Sequence, residues 1–151
     1  MIKKKRKFVA ITTLIDKDIL ISGDTTYTGG IRIDGKINGN LKVNGEEGSL
    51  LIMGHGSKIT GDVEVEKAII NGEINGNVKC NDYLELNTNA IVNGNIEYDI
   101  IEVHEGSKIN GNLKVHGEED SLLIMGHGSK ITGDVEVEKA IINGEINGNI
   151  K

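Results

Sequence analysis

Two stretches of this chain place chemically capable side chains at close quarters: Met53-Gly54-His55-Gly56-Ser57-Lys58 and its copy Met125-Gly126-His127-Gly128-Ser129-Lys130. A histidine, a serine and a lysine so near one another are the ingredients of nucleophilic acyl transfer. That chemistry needs a base within hydrogen-bond reach of the hydroxyl and a third group to orient the base. The sequence establishes only proximity at a glycine-rich corner, and such corners favour Gly, Ser, Asn and Asp for conformational reasons, so corner decoration is the expected role. His104, His116 and His127 would approach a metal centre if their corners fell on one edge. None of them has the carboxylate-histidine or Cys-His spacing of a metal site, so no metal, cofactor or catalytic residue is expected. Gly54-His55-Gly56 lacks a following helix that could lend a phosphate its dipole. Cys80, the single cysteine, follows Val78 in alternation and reads as an inward structural thiol.

The elements that carry these corners repeat. Residues 35–79 and 107–151 agree at 41 of 45 positions. Within them runs a finer beat of Gly followed by Asn or Asp, at Gly23-Asp24, Gly39-Asn40, Gly61-Asp62, Gly76-Asn77, Gly94-Asn95, Gly111-Asn112, Gly133-Asp134 and Gly148-Asn149. Their mean spacing is about 18 residues, too short for a unit that buries its own core, so the units must stack. Apolar residues alternate with polar ones around each marker, as in Ile31, Ile33, Ile37, Leu41 and Val43. Period two in runs of three to five residues means short strands with one face buried. Three runs per beat describe a triangular coil, so the expected fold is all-β: a single β-solenoid of about eight coils over residues 13–151, with 107–151 a near-copy of 35–79.

Aligning the coils on the glycine predicts two inward columns. Two positions before it stand Ile21, Ile37, Ile59, Ile74, Val92, Ile109, Ile131 and Ile146; two after it stand Thr25, Leu41, Val63, Val78, Ile96, Leu113, Val135 and Ile150. The Asn or Asp next to the glycine should form a corner ladder whose amides bond along the stack. The segments 45–49 and 117–121, inside the two longest spacings, read as loops bulging from one edge.

Composition agrees with a thin aliphatic core: 21 Gly, no Pro, no Trp and four aromatics among 151 residues. One cysteine excludes an intramolecular disulfide, no apolar run is long enough to span a membrane, and no secretory signal is visible, so a reducing cytoplasmic setting is expected. Charge is uneven. Lys3, Lys4, Lys5, Arg6 and Lys7 are five cations in a row; taking them from the net charge of −6 leaves −11 on the rest. An acidic body argues against nucleic acid along the repeats. Residues 1–12 read as a flexible basic tail in which Met1, Ile2, Phe8, Val9 and Ile11 bracket the cations, a pattern suited to an anionic membrane surface. A solvated tail and a nucleic-acid or nuclear-import segment are the other readings of this run.

Two rival functions fit the repeats less well. Ile59-Thr60-Gly61-Asp62 loosely resembles the hexad of β-helical acyltransferases, which form discrete trimers and usually carry a protruding loop and a helical extension; neither is evident. Ice binding wants ranks of threonine, but Thr25, Thr26 and Thr28 do not recur by coil.

Thr13-Leu14-Ile15, Ile21-Ser22-Gly23-Asp24, the run Gly30-Ile31-Arg32-Ile33-Asp34-Gly35-Lys36-Ile37-Asn38-Gly39-Asn40 and the later Ile101-Glu102-Val103-His104-Glu105-Gly106-Ser107-Lys108-Ile109-Asn110-Gly111-Asn112 together resemble the bactofilins, in order as well as content, from about residue 13 to residue 114. The resemblance implies a non-enzymatic cytoskeletal scaffold: a right-handed triangular β-helix that stacks end to end into nonpolar filaments without nucleotide. It also implies a membrane-targeting segment, to which Met1, Ile2, Lys3, Lys4, Lys5, Arg6, Lys7 and Phe8 are similar. The expected place is then the inner face of the cytoplasmic membrane, and the expected partners are other copies of the chain, anionic lipid and cell-wall or morphogenesis proteins. Two departures stand out: residues 115–151 add about two coils copied from 43–79, and Ile109 occupies a position where the family often has an aromatic. Natural duplication or engineered extension would each explain the copy.

An open solenoid leaves unpaired strand edges on its end coils, which are either capped or used. No cap is evident at either end. The expected self-association surfaces are Leu14, Ile15, Ile19 and Ile21 on the first coil and Ile141, Ile142, Ile146 and Ile150 on the last.

Overall fold

The computed structural model describes residues 9–45, 48–117 and 120–151, and there it is all strand and turn, without helix. The chain winds through eight coils around three faces, and every pairing is parallel, coil upon coil. The first face runs Ile11–Ile15, Gly30–Ile33, Leu50–Met53, the later parts of Val63–Ile70 and Val78–Leu86, Ile100–Val103, Leu122–Met125 and Lys139–Ile142. The second runs Leu20–Ser22, Lys36–Asn38, Lys58–Thr60, Glu73–Asn75, Ile91–Asn93, Lys108–Asn110, Lys130–Thr132 and Glu145–Asn147. The third runs Thr25–Tyr27, Leu41–Val43, the early parts of the two long strands, Ile96–Tyr98 and Leu113–Val115, and ends in bridges at Val135 and Ile150. The expected solenoid is therefore the observed one. Its first strand opens at Ile11, two residues ahead of the expected boundary, and residues 1–8 lie outside the described residues.

Both inward columns form as the glycine alignment predicts. Ile37, Ile59, Ile74, Val92, Ile109 and Ile131 meet in register on the second face with no exposed surface. Leu41, Val63, Val78, Ile96, Leu113 and Val135 are likewise buried on the third. A third inward column, Ile15, Ile33, Met53, Ile70, Leu86, Val103, Met125 and Ile142, lines the first face. The loops expected at 45–49 and 117–121 join the third face to the first; residues 46–47 and 118–119 within them are not described.

The corner between the second and third faces explains why glycine recurs. At Gly39, Gly61, Gly76, Gly94, Gly111, Gly133 and Gly148 a Cβ would run into the carbonyl oxygen of the column glycine one coil earlier. Only a residue without a side chain lets the coils approach this closely. The next position forms a ladder, but not by amide-to-amide bonds. The side-chain oxygen of Asp24, Asn40, Asp62, Asn77, Asn95, Asn112 and Asp134 each accepts the backbone N–H of its counterpart one coil later, at 2.8–3.0 Å. Asp and Asn are interchangeable at this position because only an acceptor oxygen is used. Amide-to-amide bonding does occur, one column away, where Asn110 donates to Asn93 and Asn93 to Asn75, each at 2.8 Å.

Substitutions at this corner should separate crowding from lost hydrogen bonds. Gly76→Ala should cost about 1–3 kcal/mol of unfolding free energy because backbone blocks the new methyl. Gly126→Ala, whose Cβ meets its nearest atom at 3.5 Å, should be near neutral in the same chemical-denaturation measurement. Asn95→Ala removes the acceptor for the Asn112 N–H and should cost about 0.5–1.5 kcal/mol, whereas Asn95→Asp keeps the oxygen and should cost less.

Candidate functional site: corners, a side-chain cluster and two open ends

The His-Ser-Lys corners are occupied by structure. The Ser57 hydroxyl is buried and donates to the Gly54 carbonyl at 2.5 Å; Ser129 does the same to Gly126 at 2.6 Å and Ser107 to His104 at 2.5 Å. Each serine closes its own turn, its proton committed to a carbonyl rather than to a histidine. Lys58 and Lys130 lie 3.6 and 3.5 Å from Glu73 and Glu145 on the next coil.

The three histidines do not converge. His104 and His127 share an edge in successive coils but one position out of step, and His116 lies at another corner, where its Nδ1 is 2.6 Å from Glu97. His104 instead sits 3.1 Å from Glu85 and 3.5 Å from Glu102, a grouping the sequence did not suggest. Glu85 and Glu102 are strand neighbours in adjacent coils with side chains outward, and the Tyr83 hydroxyl lies 3.0 and 2.8 Å from their carboxylates. Burial, then those two carboxylates, hold the Tyr83 proton more tightly than usual, so the phenol stays a donor between like charges. These contacts account for the cluster as a charge-stabilising network on the first face.

Cys80 is fully buried, its thiol 3.2 Å from the carbonyls of Glu66 and Tyr83, in the inward column with Tyr27, Val43, Val65 and Tyr98. The Tyr98 hydroxyl donates to the Glu136 carbonyl at 2.9 Å, reaching past the intervening coil.

The outward side of the first face departs from simple alternation. Its central column reads Leu14, Arg32, Ile52, Ile69, Glu85, Glu102, Ile124 and Ile141. Ile52, Ile69 and Ile124 are partly covered there, so this sheet is apolar on both sides over several coils.

At the ends, the side chains lose burial for want of a next coil. Ile150 is 53% exposed although Val78, at the same place in its column, is 2% exposed; Ile142 is 40% exposed where Ile70 is 0%. Leu14, Ile19 and Ile141 are exposed, Ile21 and Ile146 are partly buried against the core, and Ile15 is buried. Ile11, read from the sequence as part of the tail, and Leu20, not expected at this surface, add to the apolar surface of the first coil.

The molecule is a parallel β-solenoid with apolar end coils, a repeat architecture that is built by stacking. The sequence model of the family described as "Bactofilin: Polymer-forming cytoskeletal" matches residues 13–114. The chain belongs to the bactofilin family, whose members are structural, polymer-forming cytoskeletal proteins. It is similar to Bactofilin BacO of Myxococcus xanthus (strain DK1622), 27% identical over 116 residues that cover 77% of this chain and 89% of that protein. No solved structure gives a significant match. The family match stops before the last two coils, which continue the three faces without a break in register.

The thiol makes a test of core integrity. Burial first of all pushes the Cys80 pKa from 9.0 up to about 12. The unfolded chain therefore releases this proton first, so the thiol's contribution to stability is intact below about pH 9 and declines as pH rises toward 12. Disulfide-exchange reagents at pH 8 should leave the native thiol unmodified and label it fully in denaturant; rapid native labelling would mean that the corner opens.

Proposed function

We propose that this protein is a cytoskeletal scaffold whose copies polymerise end to end through their terminal coils into filaments, without nucleotide. The observation that carries the reading is the exposure of Ile142 and Ile150 on the last coil at column positions that every interior coil buries. A stacked coil would restore that burial, worth roughly 1.5–3 kcal/mol for each side chain fully covered, and would pair the free strand edges.

In this proposal Met1, Ile2, Lys3, Lys4, Lys5, Arg6, Lys7 and Phe8 hold the filament on the anionic inner face of the cytoplasmic membrane. Each cation near such a surface contributes about 1 kcal/mol, and a polymer multiplies the attachment by avidity. No helix among the described residues is long and apolar enough to cross a membrane. Cell-wall enzymes or other morphogenesis proteins are the proposed clients, and the partly exposed Ile52, Ile69 and Ile124 offer them an apolar contact surface.

Negative-stain electron microscopy of the purified chain, without nucleotide or metal, should show long uniform filaments. Ile150→Glu should shorten or abolish them while circular dichroism retains the β signal, because the side chain lies at the surface of the last coil. Deleting residues 1–8 should leave filaments intact but abolish co-sedimentation with anionic vesicles at low salt. Discrete particles from the unmodified chain would sink the scaffold reading.

A further inference from the structure

Glu85 and Glu102 interrupt the outer wall of the first face. On either side of them its central column is isoleucine, with Ile52 and Ile69 in the two preceding coils and Ile124 and Ile141 in the two that follow. Among the described residues theirs is also the one strand pairing that sets a carboxylate on a carboxylate, and like charges directly opposite one another are destabilising. Every other carboxylate paired in register there stacks on a lysine, as Glu73 does on Lys58 and Glu97 on Lys79 and Lys114.

No cation of the chain answers this charge. Among the described residues no lysine or arginine forms an ion pair with Glu85 or Glu102; Lys67, in register with Tyr83, turns to Asp82 at 3.6 Å, and Arg32, in the same column, to Asp34 at 3.0 Å. Tyr83 and His104 moderate the repulsion with few protons. The Tyr83 hydroxyl, 3.0 and 2.8 Å from the two carboxylates, has one proton for both. His104 Nε2, 3.1 Å from Glu85 and 3.5 Å from Glu102, brings at most one more. A single divalent cation would neutralise the pair.

We propose that Glu85, Glu102 and His104 form a binding site for one divalent transition-metal ion of the zinc type. Their three donor atoms lie within 4.8 Å of one another. Ligands at ordinary Zn–N and Zn–O lengths in a tetrahedral array stand roughly 3.3–3.6 Å apart. His104 Nε2, at 3.1 and 3.5 Å from the two carboxylate oxygens, is already close to that separation, so small side-chain movements seat the ion.

The donor set also selects the metal. One imidazole with two carboxylates suits zinc and its neighbours, whereas magnesium and calcium take oxygen ligands. Two carboxylates cancel the charge of a divalent ion, which leaves the occupied site neutral on a wall that is otherwise apolar. Tyr83 acts from behind the ligands, its hydroxyl orienting the carboxylate oxygens. The ligands come from two successive coils, so the ion ties one to the next. His104 is the least covered of the three, 44% exposed against 25% and 31% for the carboxylates, and its side opens the remaining coordination position to water or to a ligand from another molecule. The wall lies along the side of the prism, away from the end coils, so zinc binding and filament formation can each fail without the other.

Calorimetric titration of Zn²⁺ into the metal-stripped full-length chain should show one equivalent bound, with a rise in melting temperature that Mg²⁺ at the same concentration does not produce. His104→Asn and Glu102→Gln should each weaken binding at least about 10-fold, with the circular dichroism spectrum unchanged because these side chains point outward. His116→Asn removes an imidazole at another corner, beside Glu97, and should leave binding intact. Cobalt(II) in place of zinc should develop visible absorption bands that His104→Asn abolishes. Zinc binding that survives both His104→Asn and Glu102→Gln would put the ion elsewhere and overturn the site. Absence of saturable binding to the folded parent chain would overturn it as well, whether or not that chain forms filaments.

Discussion

Everything in this molecule depends on one constraint: the backbone of each coil finds its hydrogen-bond partners in the coils above and below. Parallel strands about 4.8 Å apart satisfy one another only if successive coils superimpose. Corners must therefore turn without intruding on the stacking axis. That requirement empties the glycine column of side chains, because the previous carbonyl occupies the space of a Cβ. It also leaves corner N–H groups for the Asn and Asp oxygens one coil earlier to satisfy.

The same constraint absorbs residues that looked chemically capable. Ser57, Ser107 and Ser129 close turns at their own corners, and Cys80 fills an inward position between corner carbonyls. Charges are handled outside the column of aliphatics. On the third face Lys42, Glu64, Lys79, Glu97 and Lys114 follow one another in register, alternating in sign along the stack. Lys42 and Glu64 stand 3.9 Å apart and Lys79 and Glu97 4.0 Å, exposed pairs of little individual worth that disfavour a slip by one coil, since a slip would set like charges together. The first face is apolar on both sides in places, where Ile52, Ile69 and Ile124 are partly covered.

Because strand pairing runs only between neighbouring coils, copying two coils adds length by extending the same ladders; the Tyr98–Glu136 bond is a contact that reaches one coil further. Residues 115–151 extend the family-matched region in that way, and the register of all three faces runs through the join. Duplication also transfers an interior surface to the end of the stack. A face shaped inside the molecule to accept a parallel coil becomes the face shown to solvent, which is why the end coil is apolar and still carries its ladder oxygen.

The residues alone determined the coil count, the three short strands per coil and the inward columns of the second and third faces. Each follows from period two and from a glycine marker that recurs at nearly fixed spacing, information local to a few residues. Tertiary structure decided what depends on the alignment of different coils. It set the Asn and Asp oxygens on backbone N–H groups instead of on one another, gathered Glu85, Glu102 and His104 while keeping His116 apart, and placed Ile52, Ile69 and Ile124 on an outer wall. It also ranked the expected end residues by exposure, burying Ile15 and leaving Ile150 open. Sequence spacing gives the order of positions around one coil, but contacts along the axis depend on corner lengths that differ from coil to coil, two or four residues between the first and second faces, and these fix which side chains stand above one another only once the coils are stacked.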